Sequence, residues 1–250
     1  MTNSNGRVGK RFAPFMLAAL VVGFVPVGTG MIGSTSVVAD TTLPASPARV
    51  GLGAADIFVS SFTILGGPAV TCTRSTTSGD VGVASTTAFT NTGCTISGVI
   101  HAGDPLAAQA YTNFGAAYDA IAATACTGAP LTGTLAGRTL APGVYCVSAE
   151  AKTGVLTLNG PATASWTFKV TDGAHTGAFT GTNFSVVLGG GATACNVTWW
   201  SEAAATLTDS DLKGSILSGA GLTLTRGSVA GRAMGKAGVT LTDVVSLSGC

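Results

Sequence analysis

Apolar and hydroxyl-bearing positions alternate in three short segments late in the chain: Thr206-Leu207-Thr208, Thr223-Leu224-Thr225 and Thr240-Leu241-Thr242. The interval is 17 residues both times, and a second register repeats it, with Leu212-Lys213-Gly214 recurring as Val229-Ala230-Gly231. Alternation of period two predicts short strands with leucine facing a core and both hydroxyls facing out. A fixed period too short for a helix pair, rich in Gly, Ala and Thr, predicts the stacked rungs of a β-solenoid. Stacking would set the threonine pairs into a regular array on one outer face.

Upstream the pattern persists with less regularity. Strands are expected over 52–59, from Phe62 to Leu65, from Leu135 to Leu140, from Val155 to Asn159, from Trp166 to Val170 and from Phe184 to Leu188. Gly79 to Val83 reads as a tight corner, and Ala141-Pro142-Gly143 as a turn. Thr95 to Ile100 follows the pattern of Asp211 to Ile216, so the solenoid unit is expected on both sides of a single interruption. That interruption has helical period. Asp104 is a good N-cap and Pro105 suits the first helical position. Leu106, Ala110, Phe114, Ala117 and Ile121 form one stripe, with Tyr111 and Tyr118 at its edge. A helix over about 104–125 is expected to lie along the rungs and cover one face.

Composition narrows the function. The chain has 46% hydrophobic and only 9% charged residues, which suits neither an ordinary helical surface nor a disordered chain. There is no basic run, no aromatic interleaving and no CxxC knuckle, so nucleic acid is not an expected partner. Lys10-Arg11 precedes the apolar run Phe12 to Val27, and Val37-Val38-Ala39 fits a cleavage site, so residues 1–39 read as a secretory signal. A retained membrane anchor is the alternative, disfavoured by Pro14 and Pro26. Residues 40–48 read as a linker and 49–250 as the folded domain. Loss of Arg7, Lys10 and Arg11 leaves nine basic against eleven acidic residues, a mature net charge of −2.

All six cysteines lie in the mature part, and an even count in a secreted chain argues for disulfides. Neighbour order suggests Cys72–Cys94, Cys126–Cys146 and Cys195–Cys250 among the connectivities open to six thiols. The rival is a metal site, but His101 and His175 stand alone, so no metal and no cofactor is expected.

Catalytic groupings are sparse. Asp209 and Asp211 are the only close carboxylates at a strand edge, and they read as a solvated turn rather than an acid–base pair. Asp80 reads as a turn cap and His101 as a loop residue ahead of the Asp104 cap. Lys169, Arg226 and Lys236 make no cluster, and Gly189-Gly190-Gly191 lacks the lysine of a phosphate loop. The chain is therefore read as a non-enzyme without a small-molecule substrate.

Several segments, in order, carry a family resemblance. They are Leu52-Gly53-Ala54-Ala55 with Phe58, Ser78 to Val83, Ala107-Ala108-Gln109-Ala110 with Ala117-Tyr118, and Leu140 to Tyr145. Then come Leu156 to Gly160, Ala194 to Trp199, Ala205-Thr206-Leu207, Lys213 to Leu217, and Gly231-Arg232. Across Arg49 to Cys250 the chain resembles the ice-binding-protein-like family of secreted microbial proteins. The resemblance implies a mainly β fold, a right-handed, discontinuous β-helix of triangular section with one long α-helix packed alongside. It also implies that one flat face binds ice. Where many members carry a Thr-Gly/Ala-x-Thr pattern, this chain has Thr225-Arg226-Gly227-Ser228 and Thr208-Asp209-Ser210-Asp211. Charged groups hold their own hydration water tightly. That points away from the face following the Thr-Leu-Thr strands and towards those strands themselves.

The candidate surface is thus Thr206, Thr208, Thr223, Thr225, Thr240 and Thr242, and the partner an ice crystal surface or its ordered water, met by a secreted monomer. Threonine suits the task because β-branching restricts χ1, its methyl orders first-shell water and its hydroxyl anchors that water. Two alternatives stand. The ladder is a purely structural feature of a solenoid, or the domain is a cell-surface adhesion or matrix module of the same fold.

Overall fold

The computed structural model describes residues 61–85, 87–171 and 176–250. The expected signal segment, the linker and the strand at 52–59 lie outside the described residues. The described residues open with β1 (Phe62–Gly66), then β2 (Val70–Thr73), β3 (Thr76–Ser78) and β4 (Asp80–Val83), and then β5 (Phe89–Thr92), β6 (Thr95–Ile96) and β7 (Ile100–Ala102). The helix α1 (Pro105–Ala123) follows. After it come β8 (Thr139–Leu140) and β9 (Gly143–Val147), β10 (Lys152–Asn159) and β11 (Trp166–Val170), and β12 (Phe179–Gly189) and β13 (Val197–Ser201). The last rungs are β14 (Ala205–Lys213) with β15 (Ser215–Ser218), β16 (Leu222–Ala230) with β17 (Ala233–Gly235), and β18 (Val239–Thr242) with β19 (Ser246–Ser248).

Every pairing between these strands is parallel. An 8-stranded sheet runs β7-β4-β1-β17-β15-β13-β11-β9, and an 11-stranded sheet runs β5-β2-β18-β16-β14-β12-β10-β8 with β3, β6 and β19 beside it. The larger sheet is creased along its length. At the crease the six rungs from β5 to β12 each carry a residue of positive φ: Gly93, Arg74, Asp243, Arg226, Asp209 and Asn183. Two faces from the creased sheet and one from the other give the solenoid its three sides.

Rung order in space departs from chain order. β18 lies between β16 and β2, and β1 lies between β17 and β4. From β1, which lies inside the stack, the chain builds two rungs to one end, crosses along the side as α1 and winds back to pair with β1 and β2. The β-helix is discontinuous for this reason.

The interior is apolar and stacked by type. Tyr145, Phe168, Trp199 and Phe179 form a column with centroid spacings of 5.6, 4.1 and 5.0 Å and interplanar angles of 17°, 12° and 4°. Three disulfides join Cys72 to Cys94, Cys126 to Cys146 and Cys195 to Cys250. At the second corner Gly214 and Gly231 stack with φ of 118° and 153°, and a Cβ on Gly231 would strike the backbone of Gly214. Only glycine fits such a column.

The helix differs from expectation in detail. It ends at Ala123 with Thr124 as cap, and Asp104 accepts a hydrogen bond from the Ala107 amide at 2.8 Å. Its buried stripe is Ala107, Ala110, Phe114, Tyr118 and Ile121. Tyr118 sits at the centre of the contact rather than its edge, and Ala117 is only half-buried. The cause is the sheet surface beneath, where Phe62, Leu65, Trp200, Leu217 and Met234 present large side chains. The Tyr118 hydroxyl donates to the Ser201 carbonyl at 2.9 Å, and the Trp200 indole donates back to the Tyr118 carbonyl at 3.1 Å. Burial, with help from the charges of Glu202 and Asp119, pushes the Tyr118 phenol up to about 12. The expected strand from Leu135 to Leu140 shrinks to Thr139–Leu140. Leu135 has φ of 65° and is buried in the core. His101 lies in a strand, not a loop, with its Nδ1 2.7 Å from the Asp104 carboxylate.

Truncating the centre of the aromatic column is expected to be costly. Trp199→Ala should lower unfolding free energy by about 3–5 kcal/mol, read from urea denaturation followed by far-ultraviolet circular dichroism.

Candidate functional site

The Thr-Leu-Thr strands occupy one face of the creased sheet, and the face is twice as long as the 17-residue repeat announces. Its first outward column is Thr90, Thr71, Thr240, Thr223, Thr206 and Thr180. Its second is Thr92, Thr73, Thr242, Thr225, Thr208 and Thr182. Between them the inward column reads Asn91, Cys72, Leu241, Leu224, Leu207 and Gly181. From Cys72 to Gly181 these are buried, while the threonines on either side are half-buried or exposed. Outward neighbours lie roughly 6.6 Å apart along a strand and 4.8 Å apart across strands. Twelve β-branched side chains with restricted χ1 thus form a two-column grid bearing no charge.

Six of the twelve escaped the sequence reading. Thr71-Cys72-Thr73, Thr90-Asn91-Thr92 and Thr180-Gly181-Thr182 carry the same pattern, but the inward residue is not leucine. The interval is 19 residues from Thr71 to Thr90 and 26 from Thr180 to Thr206, where the Gly189-Gly190-Gly191 loop lengthens the rung. A search for Thr-x-Thr without a fixed period would have found them.

The inward column ends in polar groups. Beyond Gly181 stands Lys152, fully buried, with its Nζ donating to the Gly133 carbonyl at 2.8 Å. Burial pushes its ammonium below the ordinary lysine value, against the pull of Glu150. At the other end the Asn91 amide oxygen accepts from the Cys94 amide at 2.8 Å.

The crease beside the grid is charged and paired. The Arg74 guanidinium meets the Asp243 carboxylate through two hydrogen bonds, 2.7 and 2.8 Å, and Arg226 meets Asp209 likewise at 2.5 and 2.7 Å. These residues stand at the corner and not on the threonine face. Asp211 lies beyond it on the second face, bonded to Lys213 at 3.0 Å and to Ser228. The two carboxylates at 209 and 211 therefore serve separate partners. The third face lies under α1.

Other candidate chemistry is engaged in the fold. Lys169 donates to the Ala122 and Thr124 carbonyls at 2.8 and 2.6 Å, closing the helix C-terminus. Lys236 pairs with Asp119 at 3.3 Å and sits over the Tyr118 ring. A cleft of about 450 Å³ near Lys169 is lined also by Tyr118, Trp200 and Glu202. Among the described residues no group of three His, Cys, Asp or Glu is placed to hold a metal ion.

Comparison with known proteins bears on this geometry. The family model described as ice-binding-like matches residues 64–246. The fold is similar to the crystal structure of an ice-binding protein from the Antarctic ascomycete Antarctomyces psychrotrophicus. The TM-score is 0.71 and identity 29%, over 80% of this chain and 98% of that one. It is similar to an ice-binding protein from an Antarctic biological consortium (TM-score 0.70, 26% identity, 82% of this chain and 93% of that one). It is also similar to an ice-binding protein from an Antarctic Flavobacteriaceae bacterium (TM-score 0.67, 30% identity, 76% of this chain and 46% of that one). No curated protein matches the chain by sequence.

The paired corner predicts an acid response. Hydrogen bonds from Arg226 and Arg74 hold the Asp209 and Asp243 carboxyls below their ordinary value. A depressed folded-state value means the pairs stabilise the fold above the unfolded value, about 3.9, and stop doing so as pH falls through the folded one. Melting temperature should drop as pH is lowered below about 4, and Arg226→Gln should flatten part of that drop. The pairs are exposed, so the change is expected to be small. A variant with the wild-type pH profile would contradict the pairing.

Proposed function

This chain belongs to the ice-binding-like family, and on that premise we propose that it binds ice through the twelve-threonine face. The observation that carries the reading is the six-rung register, in which every outward position of two adjacent columns is threonine. A flat grid of methyls and hydroxyls holds first-shell water in fixed positions. Water so held merges with a growing crystal, and the protein stays adsorbed. The contact needs no catalytic group, metal or cofactor.

Three features support the choice of face. One side of the solenoid is covered by α1. The second face carries Asp211 and Lys213 outward. Among the described residues, the threonine face is not covered by α1 and carries no charge on any of its six rungs. The similar proteins named above are ice-binding proteins by description, which supports the reading further.

We further propose a secreted monomer, released after Ala39, with residues 40–48 as a linker. Three disulfides suit an oxidising compartment. Among the described residues no helix is long and apolar enough to cross a membrane.

Thr223 stands near the middle of its column, so Thr223→Tyr should abolish ice recrystallisation inhibition. Its unfolding free energy should stay within about 0.5 kcal/mol of wild type, as for other outward substitutions. Thr180→Tyr, in a rung outside the 17-residue repeat, should also weaken activity, though less, because it stands at the end of the grid. A fully active Thr223→Tyr protein would move the surface elsewhere. A wild-type domain that stays out of the ice fraction on a cold finger would favour the adhesion-module reading.

A further inference from the structure

Past the crease lies a second hydroxyl-lined strip. Its first outward column contains Ser228, Ser246, Thr76 and Thr95, brought together by the pairing of β16, β19, β3 and β6. Its second contains Ala230, Ser248 and Ser78. All seven are half-buried or exposed, and none is charged; only on β14 do the same columns turn to charge, as Asp211 beside Ser228 and Lys213 beside Ala230. The strip spans four of the six threonine rungs and stacks at the same spacing, because both faces belong to one creased sheet. Chemically it is a poorer version of the threonine face, with small hydroxyl side chains and fewer methyls. Something must decide whether ice that docks on the threonines continues onto it.

On three of the strip's four rungs the two strips are separated by Arg74, Asp243 and Arg226, in a row that Asp209 continues onto β14; on the fourth, Gly93 stands between them. The row's charges alternate along four consecutive rungs. Each residue has positive φ, between 45° and 57°, a conformation that glycine or asparagine would adopt at less cost. The crease ends in just those types, Gly93 at one end and Asn183 at the other. Charged side chains thus occupy four positions where the backbone favours neutral ones. Their bidentate pairing cancels net charge, so they give no long-range field. Their side chains remain 38–63% exposed, so each group keeps hydration water oriented by its charge and not by a lattice.

We propose that this row is the border of the ice-binding plane. Resting on the threonine-face reading, it sets specificity: ice seats on the threonine grid, and liquid-like hydration at Arg74, Asp243, Arg226 and Asp209 stops it from crossing to the serine strip. The row acts by refusing ordered water, while the two strips beside it differ little in polarity. The protein then recognises planes that fit one flat face, and not those that would fit two faces meeting at an edge.

The test replaces the row by Arg74→Asn, Asp243→Asn, Arg226→Asn and Asp209→Asn together, since asparagine keeps the backbone conformation. Fluorescently labelled wild type and variant are adsorbed to single-crystal ice hemispheres, with circular dichroism melting as the check on folding. Wild type should decorate the planes set by the threonine face, and the variant should decorate an additional set. Ser246→Tyr should erase only the additional set in the variant and leave wild type unchanged. A folded variant that decorates the same planes as wild type overturns the border. Wild-type protein that decorates no plane overturns the ice reading itself. If the fourfold variant fails to fold, Arg74→Asn with Asp243→Asn removes one whole ion pair, opens two rungs that both strips share and is held to the same outcomes.

Discussion

In-register parallel pairing is the constraint on which the rest of the structure depends. Each rung donates and accepts main-chain hydrogen bonds to the rungs on both sides, which fixes the spacing across the stack. Once register is set, identical residues fall into columns. Leucines stack inward, threonines stack outward, and both follow from the same alternation. A slip of one residue would turn the threonine column into the core and expose the leucines. Burial of Leu207, Leu224 and Leu241 therefore holds the threonines in place as firmly as it holds the core together.

Much of this was legible in the residues. The 17-residue repeat announces a solenoid and the side on which the Thr-Leu-Thr strands stack. Asp104, Pro105 and the apolar stripe announced the helix. The remainder was hidden by tertiary pairing. Thr71, Thr73, Thr90 and Thr92 precede the repeat by more than a hundred positions, yet β2 and β5 continue it in space. No local period encodes that. Leu135 reads as a strand residue and instead bends with positive φ to fill the core. Arg226 and Asp209 read as charges crowding the site. Their bidentate pairing across 17 residues becomes visible only when the rungs are stacked.

The helix contributes by subtraction. A solenoid of this kind has three sides, and an apolar side open to water would invite association. α1 buries Phe62, Leu65, Trp200, Leu217 and Met234 and takes one side out of play. Lys169 ties its C-terminal end and Tyr111 its N-terminal half, each through backbone carbonyls. Among the described residues, what α1 leaves open is the threonine side and a hydroxyl-lined side with Asp211 and Lys213 towards one end.

The seam where β18 meets β2 has a consequence in time. β2 pairs with β18, and Arg74 pairs with Asp243 across 169 positions. Such closure is made of distant contacts, which form slowly because the intervening chain must be gathered first. Before it closes, the threonine rungs exist as two separate short patches, one from each half of the chain. Afterwards they are one surface. The twelve-threonine face is thus a certificate of completed folding, absent from any chain that is unfinished, clipped or wrongly joined at that seam.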